Sequence, residues 1–136
     1  MTHLVYCDAS VLVARLTRDD AHHDVTTLID HALTHDGRLL SSELAWLEVS
    51  RAINRLASSY GDAASPFVTI EAAFDDIDLM ALDHSVLAVA REIPDPHLGT
   101  LDAIHVATAL MVGARLVLTR DRRMAQACSA LGLAVA

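Results

Sequence analysis

Apolar residues along this chain fall into two alternating rhythms. Short runs with few polar interruptions, LVYC before Asp8 and LVLT before Arg120, have the length of strands buried on both faces. Longer stretches place apolar residues at helical spacing: ASVLVARL after Asp8, DVTTLIDHAL after the polar DDAHH, and HSVLAVARE in the middle of the chain. The punctuation between them is equally regular. Gly37 ends DVTTLIDHAL before RLL, a second strand, and Ser41 or Ser42 caps a helix running to about Leu56. Its apolar stripe is Ala45, Val49, Ala52, Ile53 and Leu56, with Glu48 at the edge and Arg51 and Arg55 alongside. From Ala57 to about Asp76, SSYGDAASP reads as a loop and FVTIEAAF as a short element whose type the pattern leaves open. IDLMAL is a third strand, Asp83 caps HSVLAVARE, and IPDPHLG is a rigid loop because Pro94 and Pro96 forbid helix. Thr100 is expected to cap LDAIHVATALMVG, which is apolar almost all round, broken only by His105 and Thr108, and ends at Gly113. RLVLT is the fourth strand, Asp121 opens RRMAQACSAL, Gly132 ends it, and LAVA adds a last short strand. Alternating strands and helices argue for one α/β domain over residues 1–136, with a short parallel sheet between two helical layers, α/β/α.

At 136 residues the chain can bury one sheet and its covering helices. Charges interrupt each apolar run well short of the ~20 residues of a membrane span, and MTHLVYCDAS lacks a basic leader segment, so a cytoplasmic protein without membrane contact is expected. Cys7 and Cys128 have no CxxC or metal spacing and read as buried, reduced packing residues. His22, His23, His31 and His35 show no converging metal spacing and read as solvated surface.

Four carboxylates give the pattern its chemistry. Asp8, Asp102 and Asp121 stand where a strand or loop gives way to a helix, and Glu48 stands beside an apolar helix face. An open α/β sheet gathers the carboxyl ends of its strands along one edge, so acids far apart in sequence can meet there. Such charges repel by about 1 kcal/mol per pair in water and more in an interior, and the cluster calls for a divalent cation or tightly held protons. All-oxygen ligation favours Mg²⁺ or Mn²⁺ over zinc. Singly, each acid has an ordinary reading: helix caps worth about 0.5–2 kcal/mol for the three aspartates, and an i,i+3 ion pair with Arg51 for Glu48. Together they exceed that reading, since ordinary caps have no reason to share one edge of one sheet.

The net charge of −8 argues at first sight against a polyanionic partner. With the four acids balanced by metal, ten Arg stand against fourteen acids, leaving −4. No Lys occurs, so every fixed cation is guanidinium, a pattern that codon bias or bidentate phosphate recognition would each produce. Arg120, Arg122 and Arg123 flank Asp121 as candidate phosphate contacts, as Arg51 does Glu48. Ser10, two residues past Asp8, is either a second-layer hydroxyl or a simple helix-start serine. His105, one turn after Asp102, either orients that carboxylate or is a hydrogen-bonded core histidine.

The strand ending in DAS (Asp8, Ala9, Ser10), the helix ELAWLEVSR with Glu48 and Arg51, the helix TLDAIHVATAL with Asp102, and TRDRRM with Thr119 and Asp121 together resemble the PIN domain. The similarity is strongest to the VapC toxins of toxin–antitoxin pairs, and it runs from Val5 to the terminal LGLAVA. It implies that the four acids bind one or two Mg²⁺, that RNA is cut endonucleolytically, and that a VapB-like antitoxin and a homodimer accompany the activity. One departure is visible: Gly99 stands where many relatives carry a basic residue before the T-L-D triplet. Other classes fit less well. A phosphoacceptor receiver needs a Lys, and a nucleotide-binding module needs G-x-G-x-x-G or a P-loop, none of which occurs. A catalytically silent PIN-like adaptor remains the rival, and loss of an acid would be its mark.

Overall fold

The structure, a computed structural model, describes residues 2–17, 22–60 and 69–136. Four parallel strands, β1 (His3–Cys7), β2 (Gly37–Ser42), β3 (Ile77–Met80) and β4 (Leu116–Leu118), line up in the order β3-β2-β1-β4. The helices are α1 (Ala9–Thr17), α2 (His22–Thr34), α3 (Glu43–Tyr60), the short α4 (Ile70–Ala73), α5 (His84–Arg91), α6 (Thr100–Met111) and α7 (Arg122–Ala130).

The two-residue period of β1 sorts the core into two halves. Val5 and Cys7 face a cluster built with α1, α2 and α3, including Leu12, Ile29, Ala45, Val49 and Ile53. Tyr6 faces the opposite side, packed with Val106 and Ala109 of α6 and Met124 and Cys128 of α7. Both faces of the sheet's centre are therefore covered, which is why β1 and β4 read as nearly unbroken apolar runs. A third cluster joins Leu44 of α3 to Val86 of α5 and Ile104 and Ala107 of α6. Both cysteines are buried and free. No helix among the described residues is long and apolar enough to cross a membrane.

Several boundaries differ from the sequence pattern, each for a local reason. Asp36, not Gly37, turns the chain after α2, with φ 62°, and Gly37 begins β2. Gly37 is required for another reason: a Cβ there would lie 2.2 Å from the Ala32 carbonyl oxygen. Gly99 caps α6 in extended conformation, without a side-chain bond, and Thr100 is already helical. Helix α3 continues past Leu56 through the SSY of the expected loop, while Gly61–Pro66 lies outside the described residues. The terminal LAVA makes only an isolated parallel bridge, Val135 to Val117. Asp83 does cap α5, accepting from the Val86 amide at 3.1 Å, and Gly113 and Gly132 take positive φ where helices end.

Candidate active site

The strand order fixes where a site can form. β1 leads to β2 and β3 on one side, while β4 lies on the other, so the connection reverses between β1 and β4 and opens a crevice beyond their carboxyl ends. Register brings the flanking residues together there. Cys7 pairs with Leu118, so Asp8 and Thr119 follow side by side, and the Asp8 amide donates to the Leu118 carbonyl at 3.1 Å.

Asp8 is only 4% exposed and is held by hydroxyls at both oxygens. Ser10 donates to Oδ1 at 2.5 Å and Thr119 to Oδ2 at 2.6 Å, with the Val11 amide adding a longer bond to Oδ1 at 3.3 Å. Ser10 also accepts from the Arg120 amide at 3.0 Å, and Thr119 from the Asp121 amide at 3.0 Å. Ser10 is thus more than a helix-start serine: it ties the loop after β4 to the carboxylate after β1. Asp121 caps α7, its Oδ1 accepting from the amides of Arg123 (2.9 Å) and Met124 (3.1 Å), which leaves Oδ2 without a bond from the cap.

Glu48 reaches the same rim from α3. Its ion partner is His105, whose Nε2 lies 2.5 Å from Oε1, in place of the Arg51 pairing that spacing offered. His105 is 2% exposed, and Tyr6 bonds its other ring nitrogen at 2.6 Å. The histidine therefore is a hydrogen-bonded core residue, and the carboxylate it orients is Glu48, not Asp102. Pattern reasoning passed over Tyr6. A tyrosine inside an apolar strand was the available signal, since a buried phenol needs a partner.

Asp102, on the first turn of α6, accepts no hydrogen bond among the described residues. Its carboxyl is held above the ordinary range by burial first, then by the negative charge of Asp121, with smaller contributions of the same sign from Asp8 and Glu48 and an opposing one from His105. Asp121, Asp8 and Glu48 thus all lie within electrostatic reach of Asp102. The convergence is loose: among the described residues no three His, Cys, Asp or Glu side chains are placed to hold a metal ion directly. A hydrated ion suits such a set, because Mg²⁺ keeps several waters and is commonly held by one or two carboxylates.

The guanidinium groups divide by role. Arg51 and Arg55 line a groove of about 370 Å³ with Leu44, Leu47, Glu48 and Leu101. Arg120 and Arg122 are exposed around Asp121. Arg123 instead donates to the His97 carbonyl at 2.7 Å and anchors the Pro94–Gly99 loop to α7.

Comparison with known proteins accords with this geometry. The family model described as PIN domain matches residues 5–129. The chain belongs to the PIN-domain family. Within it the relatives are of the VapC type: "Ribonuclease VapC35" of Mycobacterium tuberculosis (strain CDC 1551 / Oshkosh) is 34% identical over 138 residues, covering 97% of this chain and 95% of that one. Among solved structures, M. tuberculosis VapC20, described as a sarcin-ricin loop cleaving toxin, superimposes with TM-score 0.68 at 18% identity, covering 95% of both chains. VapBC2 of Rickettsia felis, bound to a DNA fragment from their promoter, superimposes with TM-score 0.67 at 10% identity over 98% of this chain and 97% of that one. At those identities the two structures speak for the PIN fold alone.

Proposed function

We propose that this PIN-domain chain is a Mg²⁺-dependent endoribonuclease, with Mn²⁺ able to substitute, acting in the cytoplasm as the toxin of a toxin–antitoxin pair. What supports the reading is a chain 34% identical to a named ribonuclease, with Asp8 held by Ser10 and Thr119 at the β1/β4 crevice and Asp102 within electrostatic reach of Asp121, Asp8 and Glu48. Asp102, with no hydrogen bond among the described residues, and Asp8, through the lone pairs its hydroxyl donors leave, would hold one ion or two. Bound there, Mg²⁺ supplies a water activated for attack on phosphorus and neutralises charge on the departing oxygen. Glu48 through Oε2 and Asp121 through Oδ2 would orient that water. Ser10 and Thr119 fix the Asp8 carboxylate, while Arg51, Arg120 and Arg122 take phosphates of the RNA. No side-chain nucleophile is required.

The partner follows from the field of the site. Four carboxylates attract a cationic residue, so a VapB-like antitoxin tail bearing Arg or Lys fits the crevice, and exposed Trp46, Leu47 and Leu101 offer apolar surface to such a tail or to a second copy in a homodimer. Purified chain incubated with end-labelled RNA should cut with Mg²⁺ and stop cutting with EDTA. Cleavage surviving exhaustive EDTA overturns the metal reading, and RNA bound but uncut in Mg²⁺ moves the chain to the silent adaptor.

A further inference from the structure

Beneath the acidic rim lies a polar chain unlike the rest of the core. Tyr6 is fully buried, on the α6 side of β1, and its hydroxyl stands 2.6 Å from His105 Nδ1 with the rings edge-on, 5.9 Å between centroids. His105 Nε2 reaches Glu48 Oε1 at 2.5 Å, 57 residues away in sequence. The hydroxyls of Ser41 and Thr108 flank the same phenol but give their own protons to the carbonyls of Cys7 (2.6 Å) and Ile104 (2.8 Å). Burial, reinforced by the Asp8 charge, keeps the Tyr6 phenol protonated throughout the physiological range. In a neutral ring whose Nε2 faces a carboxylate, Nδ1 is the acceptor, and the phenol proton goes to it. A carboxylate only accepts, so Nε2 carries the imidazole proton and donates it to Glu48.

This arrangement makes the two Glu48 oxygens unequal. Oε1 gives a lone pair to the imidazole, while Oε2 keeps both of its own. Glu48 is on α3, which packs with the α1 side of the sheet, whereas His105 is on α6 on the opposite side, so this hydrogen bond joins the two helical layers over the carboxyl edge. We propose that Tyr6 and His105 are positioning residues that hold Glu48 with a single oxygen presented to the metal and its water, so that it acts as a one-oxygen ligand or water-orienting group. The inference rests on the nuclease reading only for what Oε2 does there; the Tyr6–His105–Glu48 arrangement stands without it.

Two readouts separate these parts. Long-range ¹H–¹⁵N spectra of the metal-free chain should show His105 protonated at Nε2 and perturbed by both Tyr6→Phe and Glu48→Gln. A His105 protonated only at Nδ1, or indifferent to both variants, overturns the proposal whatever the chain does to RNA. For the metal side, His105→Leu should weaken Mn²⁺ binding, read by electron paramagnetic resonance, by about 10- to 100-fold and lower kcat similarly with KM for RNA little changed. His105→Gln, whose amide replaces the Nε2 donor, should restore both to within several-fold of the parent, and thermal melts establish that each variant is folded. Parent-like Mn²⁺ affinity and kcat in folded His105→Leu overturn it, as does failure of folded His105→Gln to recover either. If the parent itself neither binds Mn²⁺ nor cuts RNA, while the spectra show the predicted tautomer, the nuclease reading falls and the hydrogen-bonded arrangement survives.

Discussion

Asp8→Asn and Asp102→Asn should silence the same reaction while moving stability in opposite directions. Sequence alone treats the two acids alike, since neutralising either member of a like-charged cluster relieves repulsion and should leave the fold at least as stable. The structure separates them. Asp8 is buried and accepts from two hydroxyls and an amide, so an Asn side chain turns one accepting oxygen into a donor facing Ser10 or Thr119. At least one hydrogen bond to a charged group is lost, a cost of about 1.5–3 kcal/mol, partly offset by the charge relief. At this chain length a melting point moves by roughly 3–4 °C per kcal/mol, so Asp8→Asn should melt up to about 10 °C lower. Asp102 accepts no hydrogen bond among the described residues, and burial together with Asp121 raises its carboxyl, so removing the charge should raise the melting point. The sign with pH follows from linkage. A carboxyl that binds protons more tightly when folded destabilises the fold increasingly as pH rises from its ordinary value towards the raised one. The gain from Asp102→Asn should therefore be present at pH 7 and vanish below about pH 4, near the ordinary Asp value. The assay is a pair of thermal melts in EDTA at pH 7 and pH 4, with RNA cleavage in Mg²⁺ alongside. A stabilised Asp8→Asn, a destabilised Asp102→Asn at pH 7, or near-normal cutting by either refutes the account.

Arg122→Ala or Arg51→Ala should weaken RNA binding and reduce the slope of log affinity against log salt by about 0.7 per lost phosphate contact on single strands, with Mn²⁺ binding unchanged; unaltered slopes for both would reassign them to structural roles. Gly37→Ala should cost at least the 1–3 kcal/mol typical of overpacking, because its Cβ meets backbone at the Ala32 carbonyl, and a urea melt matching the parent would contradict that geometry. Burial pushes the Cys7 thiol up to about 12 and the Cys128 thiol up to about 11, so neither should react with a thiol reagent at pH 8 until denaturant opens the fold, and prompt labelling would show otherwise. Co-expression with a neighbouring small protein whose tail carries Arg or Lys should restore growth lost on expressing the chain alone; undiminished toxicity beside that neighbour, or no growth loss without it, would count against the toxin reading.

The sheet and the places of Asp8 and Asp121 beside it were legible because each has a local signature. Unbroken apolar runs give parallel strands covered on both faces, and an acid just past such a run falls at the carboxyl edge whatever the connections do. Asp83 and Asp121 as caps were equally readable, since an N-cap is satisfied within its own first turn. What stayed hidden is long-range. Nothing near His105 in sequence says that its partners are Tyr6 and Glu48, and local spacing offered Asp102 and Arg51 instead. Nor could composition show that Gly37 is demanded by the Ala32 carbonyl, because that close approach exists only once α2 folds back onto β2.

The strand order also sets when a working molecule can first exist. β1 is made early and stands next to β4, so Asp8 waits for Thr119, 111 residues later, before its second hydroxyl donor arrives. At ribosomal rates of about 5–20 residues per second, that interval lasts on the order of ten seconds. Through it, one edge of β1 lacks its neighbour, Asp121 has not been made, and the crevice has only one wall. A chain stopped before β4 has three of the four acids but nowhere to gather them, so assembly itself delays any activity of the crevice until β4 has been made.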